Sequence, residues 1–114
     1  MKYYSEERMK KTREKLEEEV FQWSNISTKK MFGCPSYKVD EKLFAFLVTD
    51  GIVFTKLNED QKNEIKKLFK TEPFETGTRI INKWVKISLE KQNDLSLIIN
   101  YLHQSYKNAK NEIK

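Results

Sequence analysis

The sequence predicts an α+β domain in which an antiparallel sheet packs against helices, in the order α-β-β-β-α-β-α. Apolar residues recur at helical spacing near both ends of the chain and once in its middle. Two β-rich runs meet at Asp50-Gly51, a dipeptide typical of hairpin turns. A length of 114 residues suits one domain, and no repeat or linker divides residues 1–114.

The first segment, from Ser5 to Trp23, has the pattern of an amphipathic helix that ends at Ser24-Asn25. Glu6 and Glu7 would lie in its first turn, where the helix dipole favours acidic side chains. Its apolar positions recur at helical spacing, and they are Met9, Leu16, Val20 and Trp23.

A three-stranded meander follows, with its second and third strands at residues 42–49 and 52–57. The first strand runs through residues 26–37 and is interrupted by Pro35, which cannot donate to a sheet ladder and so indicates an edge strand or a bulge. With Asp50-Gly51 as a type I′ turn, Gly51 would have positive φ and Val48 would face Val53.

Both faces of the strand at residues 42–49 are apolar, since it reads Lys-Leu-Phe-Ala-Phe-Leu-Val-Thr. One face would pack on helices. The other is either covered by the first helix or left partly open. The connection at residues 24–27 is too short for a long crossover, so we expect an open face and with it a homodimer or a bound partner.

The rest of the chain predicts two more helices and a fourth strand. Asn58 and Gln61 have the spacing of a capping box, at the start of a helix that ends before Pro73. Residues 72–78 are predicted as a loop anchored in the core by Phe74, and residues 83–89 as a strand. The last helix would start near Asn93-Asp94. The apolar stripes of the two helices are Ile65, Leu68 and Phe69, and Leu95, Ile98, Ile99, Leu102, Tyr106 and Ala109.

Residues with catalytic or metal-binding chemistry are few. Cys34 is the only cysteine and His103 the only histidine, and so distant a pair is weak grounds for a nucleophile and its base. The three glycines stand alone and form no phosphate-binding loop. We therefore expect no catalytic residue, no metal site and no cofactor in a domain that is not an enzyme.

The sequence also favours a cytoplasmic location. Its amino-terminal residues lack the apolar core of a signal peptide, and no window resembles a membrane span. One cysteine cannot form an internal disulfide, which suits a reducing compartment.

The formal net charge is +5, from 22 basic and 17 acidic side chains. Only Arg8, Arg13 and Arg79 are arginines, the side chain preferred for reading bases, so a solvated lysine-rich surface is one explanation of the charge. The other is a diffuse surface that contacts phosphates with little dependence on sequence. Its residues would lie on the meander and before the fourth strand: Lys29, Lys30, Lys38, Lys56, Arg79 and Lys83.

Lys30-Met31-Phe32-Gly33 is followed further along the chain by Pro73-Phe74, which is the most specific combination of motifs in the sequence. With several supporting positions over residues 10–109, this combination resembles the TfoX N-terminal domain family. The strand with Trp84 and the pair Ser105-Tyr106 are also similar to the related YjbR/MmcQ-like proteins. The supporting positions are Tyr37, Asp40-Glu41, Leu43-Phe44-Ala45, Thr55-Lys56-Leu57, Gly77 and Val85.

The resemblance implies a small stand-alone α+β domain in which Met31, Phe32, Gly33, Pro73 and Phe74 are structural motif residues. TfoX itself is a regulator of natural competence with a second, carboxyl-terminal domain, and YjbR-like domains have been proposed to bind DNA. We therefore expect a binding or regulatory domain that contacts nucleic acid or a regulatory protein. The alternative is a structural or oligomerising domain that self-associates through its apolar sheet face.

Overall fold

The structure is a computed structural model that describes residues 3–89 and 95–112. In those residues three helices accompany one six-stranded antiparallel sheet with the strand order β1-β2-β3-β4-β6-β5. The α+β class and the predicted succession of helices and sheet segments are confirmed, and the sheet has two strands more than predicted. The elements are α1 (Glu6–Val20), β1 (Ile26–Met31), β2 (Cys34–Val39), β3 (Lys42–Val48), β4 (Gly51–Phe54), α2 (Glu59–Leu68), β5 (Thr71–Thr76), β6 (Arg79–Ser88) and α3 (Leu95–Lys110).

Helix α1 begins and packs as its sequence predicts. Ser5 is the N-cap, and its hydroxyl accepts a hydrogen bond from the backbone N–H of Arg8 at 3.4 Å. The predicted end at Ser24-Asn25 is wrong, because the helix ends at Val20. Trp23 lies beyond it, where its ring packs on Phe44 and Tyr106. Asn25 then reverses the chain with a φ of 62° before the sheet begins. The buried side chains of the helix are Met9, Leu16 and Val20.

The first predicted strand is in fact a hairpin. Met31 pairs with Cys34, and between them Phe32 and Gly33 have φ values of 56° and 78°, as a type I′ turn requires. Neither alternative predicted for Pro35 is found, because β2 lies between β1 and β3 and the register shift comes only between Tyr37 and Lys38. Pro35 is tolerated there because the ladder between β2 and β3 begins only at Ser36.

The hairpin of β3 and β4 exists, but its turn lies one residue earlier than predicted. Val48 pairs with Gly51, so Thr49 and Asp50 form the turn, and Phe46 rather than Val48 faces Val53. Of the two turn residues only Asp50 has positive φ, and Gly51 is a strand residue. A Cβ atom on Gly51 would lie 2.9 Å from the carbonyl oxygen of Ile87, so this glycine permits the close approach of β6.

The prediction for α2 is confirmed at its start and partly wrong along its face. The Gln61 N–H donates to Asn58 Oδ1 at 2.8 Å, and the Asn58 N–H donates to Gln61 Oε1 at 2.9 Å, which completes the capping box. Ile65 is buried, whereas Leu68 is 54% exposed. Sequence position alone did not show that Leu68 leaves the core at the end of the helix.

The predicted loop at residues 72–78 is wrong, since most of it forms strand β5, which pairs with β6. Its predicted anchor is confirmed, because Phe74 is buried. Helix α3 is described from Leu95, so the predicted start near Asn93-Asp94 lies outside the described residues.

The sheet bends sharply toward one face. Phe46 on β3 and Phe74 on β5 lie three strands apart, which would separate them by about 14 Å in a flat sheet. Their ring centroids are instead 5.0 Å apart. The bend lies where Pro73 pairs with Val85 but Phe74 pairs with Ile81, which leaves residues 82–84 of β6 as an irregular excursion.

The expected open sheet face is therefore wrong. Helices α1 and α3 cover one face, where Tyr37 bonds Glu17 of α1 and Phe44 packs on Tyr106 of α3. The curled outer half of β5 and β6 covers the other. Every residue from Phe44 to Val48 is at most 4% exposed within one chain. Phe44 reaches the helices because it is an extra residue on β3 between the pairs Tyr37–Ala45 and Lys38–Leu43.

Across residues 3–89 and 95–112, no helix combines the length and the apolar character needed to cross a membrane.

Candidate functional site

An aromatic cluster fills the curled face of the sheet. Its members are Tyr3, Phe32, Phe46, Phe74 and Trp84. Phe32 lies 5.7 Å from Tyr3 and 5.9 Å from Phe74 between ring centroids, and Phe46 lies 5.5 Å from Trp84. The structure therefore joins the two motif segments, Met31-Phe32-Gly33 and Pro73-Phe74, that lie far apart in the sequence.

Tyr3 connects this cluster to two further turns. Its carbonyl oxygen accepts from the Thr49 N–H at 2.9 Å, in the turn between β3 and β4. Its hydroxyl oxygen accepts from the Gly77 N–H at 3.1 Å, at the tip of the hairpin of β5 and β6. One amino-terminal residue thus contacts three separate turns.

Phe32 occupies a conformation that is costly for a bulky side chain. Its φ of 56° lies in the left-handed region, which glycine, asparagine and aspartate adopt more readily. The ring contacts with Tyr3 and Phe74 hold it there. The side of Phe32 away from them remains open, since the residue is 48% exposed.

Three lysines lie on the same hairpin as Phe32. Lys29 faces Ser36, and Lys38 lies two residues further along β2, so both project on the sheet face that carries Phe46. Lys30 faces Pro35 and projects on the opposite face of the edge strand. Among the residues that the structure describes, none of the three forms an ion pair. We call Lys29, Lys30, Lys38 and Phe32 the basic hairpin surface.

On the helix side of the same hairpin, α1 and β1 enclose a groove of about 640 Å³. Its wall carries a chain of polar contacts. Arg13 donates to Glu6 at 2.8 Å and to Glu17 at 2.7 Å, and Glu17 in turn accepts from the Tyr37 hydroxyl at 2.7 Å. Tyr4 donates to Glu6 at 2.6 Å. Each carboxylate is thereby bound to both a guanidinium and a phenol.

These contacts shift the pKa values of the titratable side chains in the groove. Hydrogen bonds from Arg13 and Tyr4 lower the pKa of Glu6 to about 2. Burial, followed by the hydrogen bond to Glu17, raises the pKa of Tyr37, and burial with the bond to Glu6 raises the pKa of Tyr4. At neutral pH Glu6 is therefore charged and both tyrosines are neutral, so none of these three groups is poised to act as an acid or a base.

The structure does not gather all six basic residues predicted from sequence. Lys56 forms an ion pair with Glu112 at 2.8 Å at the end of α3, away from the hairpin. Arg79 is exposed beside the turn after β5, two residues from Gly77 and hence near the Tyr3 hydroxyl. Lys83 is exposed in the irregular segment of β6. Lys29, Lys30 and Lys38 are the three that share one hairpin.

Cys34 and His103 remain without a chemical partner for catalysis in the described part of the chain. Cys34 is fully buried, and burial raises the pKa of its thiol to about 11. His103 is exposed, and its ring centroid lies 4.8 Å from that of Trp23 and 5.5 Å from that of Tyr106. Within residues 3–89 and 95–112, no three His, Cys, Asp or Glu side chains could hold a metal ion together.

Sequence reasoning missed Tyr3 and the contacts of Arg13. Tyr3 precedes the first predicted helix and carries no local pattern. The spacing of Arg13 and Glu17 does favour a pair on one helix face, but Tyr37 joins them only through the packing of α1 on the sheet.

The fold and the surface together define a small α+β domain: a curled antiparallel sheet with helices on one face and an aromatic cluster on the other. The chain belongs to the TfoX N-terminal domain family, whose model matches residues 18–109. It is thus a small domain of regulatory type. A comparison with curated proteins gives no match.

Proposed function

We propose that this domain is a non-enzymatic regulatory module that contacts nucleic acid through the basic hairpin surface. The observation that supports this most directly is the placement of Lys29 and Lys38 as diagonal neighbours on one sheet face, about 7–8 Å apart between Cα atoms. Neither ammonium group is neutralised by an ion pair in the described structure. Free lysines at this spacing suit successive phosphates.

The acidic groups near this hairpin surface are compatible with that role. Glu6 and Glu17 line the same groove as Lys29 and Lys30, and both are bound by Arg13. Asp40 and Glu41 lie in the turn after β2, at the end of the hairpin opposite Phe32. Binding through lysines would be salt-dependent and tolerant of sequence, with cytoplasmic nucleic acid as the partner.

The test is fluorescence anisotropy with a labelled DNA duplex at several salt concentrations. Three phosphate contacts predict that affinity falls about 40-fold between 50 and 200 mM salt. The variant K29E/K30E/K38E should no longer bind the duplex at low salt. Its thermal midpoint should change little, because exposed charges contribute little to stability.

The matched control is K10E/K11E/K15E, which makes the same change in net charge on the exposed side of α1. It should keep most of the affinity. Equal loss in both variants would show that net charge alone drives binding, and no retention of the parent at 50 mM salt would exclude the proposal.

The alternative predicted from the sequence was self-association through an open sheet face. Because the described sheet has no such open face, that argument for self-association no longer applies. The sheet still has edges at β1 and β5, but β1 carries Lys29 and Lys30 and β5 carries Pro73. Lysine and proline at an edge oppose pairing with another copy. We therefore propose a monomer, and sedimentation equilibrium at high micromolar concentration tests it.

A further inference from the structure

Phe32 is an unusual residue for its position in the hairpin turn. The first central residue of a type I′ turn is ordinarily asparagine, aspartate or glycine, because it must adopt positive φ. A phenylalanine there has a backbone cost that its ring must offset. Contacts with Tyr3 and Phe74 account for one side of the ring. They leave the residue 48% exposed, at the end of a strand that carries two free lysines.

We propose that Phe32 stacks on an unpaired nucleobase, so that the basic hairpin surface takes single-stranded nucleic acid. This inference rests on the proposed function and specifies its ligand. Aromatic side chains beside a basic track bind single strands because every base has a π face. In a duplex the base faces are covered by their neighbours, and a side chain at a hairpin tip reaches only phosphates and groove edges.

Local charge favours a polyanion over an apolar protein surface as the occupant. Lys29 and Lys30 precede Phe32 by three and two residues on the hairpin, and Lys38 lies further along β2. On the facing hairpin, Arg79 is exposed, and Glu75 is the nearby exposed acid on β5. Glu72, further along β5, is paired with Lys86 at 3.2 Å. The described groups around Phe32 thus carry a positive excess.

The experiment compares a labelled 15-nucleotide oligothymidine with a duplex of the same length, at fixed low salt. The parent should bind the single strand more tightly than the duplex. Phe32→Asn should weaken single-strand binding by about 5- to 150-fold, the loss of one base stack, and should leave duplex binding nearly unchanged. Phe32→Tyr should retain the affinity of the parent, because it keeps the aromatic face.

Leu68→Asn is the matched control, since Leu68 is similarly exposed but lies on α2. It should not change either affinity. Unchanged single-strand binding in Phe32→Asn, or an equal loss in Phe32→Tyr, would overturn stacking.

The two proposals fail in different ways. Lysine-dependent binding of both oligonucleotides without any effect of Phe32 would remove the stacking and leave the proposed function intact. Absence of binding by the parent to either oligonucleotide would remove both.

Discussion

Replacing Gly51 by alanine should destabilise the domain through a steric clash with a neighbouring strand. The added Cβ would lie 2.9 Å from the Ile87 carbonyl oxygen and 3.1 Å from Val48 Cγ2. Because the first is a backbone atom of β6, the sheet itself must shift. Such overpacking costs about 1–3 kcal/mol, and the stiffer unfolded chain returns about 0.4–1 kcal/mol. We expect a net loss of about 1–2 kcal/mol, or roughly 4–8 °C in thermal midpoint.

Gly77→Ala is the matched substitution. No atom lies within 4 Å of a Cβ at Gly77, and its φ is not positive. Stability should therefore be unchanged or higher by up to about 1 kcal/mol. Urea unfolding followed by circular dichroism measures both variants, and equal slopes would show that the unfolded states are comparable.

A third variant separates the two explanations of Gly51. If Gly51 needed positive φ, as the Asp50-Gly51 turn predicted, asparagine would be tolerated better than alanine. If the cause is the approach of Ile87, the larger asparagine is worse than alanine. Gly51→Asn more stable than Gly51→Ala, or Gly51→Ala as stable as Gly77→Ala, would refute the strand register described here.

Other expectations concern the groove and the core. Tyr37→Phe removes the hydrogen bond to Glu17 and should cost about 1–2 kcal/mol in urea unfolding, while the Arg13 bond remains. Because the pKa values of Tyr4 and Tyr37 are raised on folding, their contribution is complete below pH 10 and is lost as pH rises above it. Absorbance at 295 nm should then show that these phenols ionise only as the protein unfolds. Cys34, with a pKa of about 11, should react with a thiol reagent at pH 8 only in denaturant, and rapid labelling of the native protein would contradict its burial. Phe74→Ala should cost about 3–5 kcal/mol by opening the aromatic cluster, and a loss below 1 kcal/mol would argue against the bend of the sheet.

The parts of the fold that sequence predicted are those fixed by neighbouring residues. The capping box of Asn58 and Gln61 needs only a spacing of three, and both of its hydrogen bonds form. The periodicities of α1 and α3 likewise depend on single helices.

The errors arose at residues whose conformation depends on contacts with a distant part of the chain. Gly51 suggested a turn because Asp-Gly usually forms one, whereas its requirement comes from Ile87 on β6. The Phe32-Gly33 turn was missed because phenylalanine is a poor residue for positive φ unless partners such as Tyr3 and Phe74 hold it. Strand β5 contains Pro73, which lowers strand propensity but is accepted at an edge.

The same distinction between neighbouring and distant residues applies to the candidate site. Lys29, Lys30 and Lys38 could be placed on one sheet region because they belong to consecutive strand segments. Lys56 could not be excluded from sequence, since its partner Glu112 lies 56 residues away in the chain.

Phe32 belongs to both the fold and the candidate site, and this determines what its replacement can show. Asparagine should recover about 1–2 kcal/mol of left-handed backbone cost, because it adopts positive φ more readily. It should also lose about half the burial of a phenylalanine, about 0.8–1.5 kcal/mol, together with the ring contacts to Tyr3 and Phe74. The two effects oppose each other, so the stability of Phe32→Asn should lie within about 1 kcal/mol of the parent. If Phe32→Asn loses much of its oligonucleotide affinity at nearly constant stability, the loss comes from the missing exposed ring and not from unfolding. An unfolded fraction too small to measure cannot remove most of the binding.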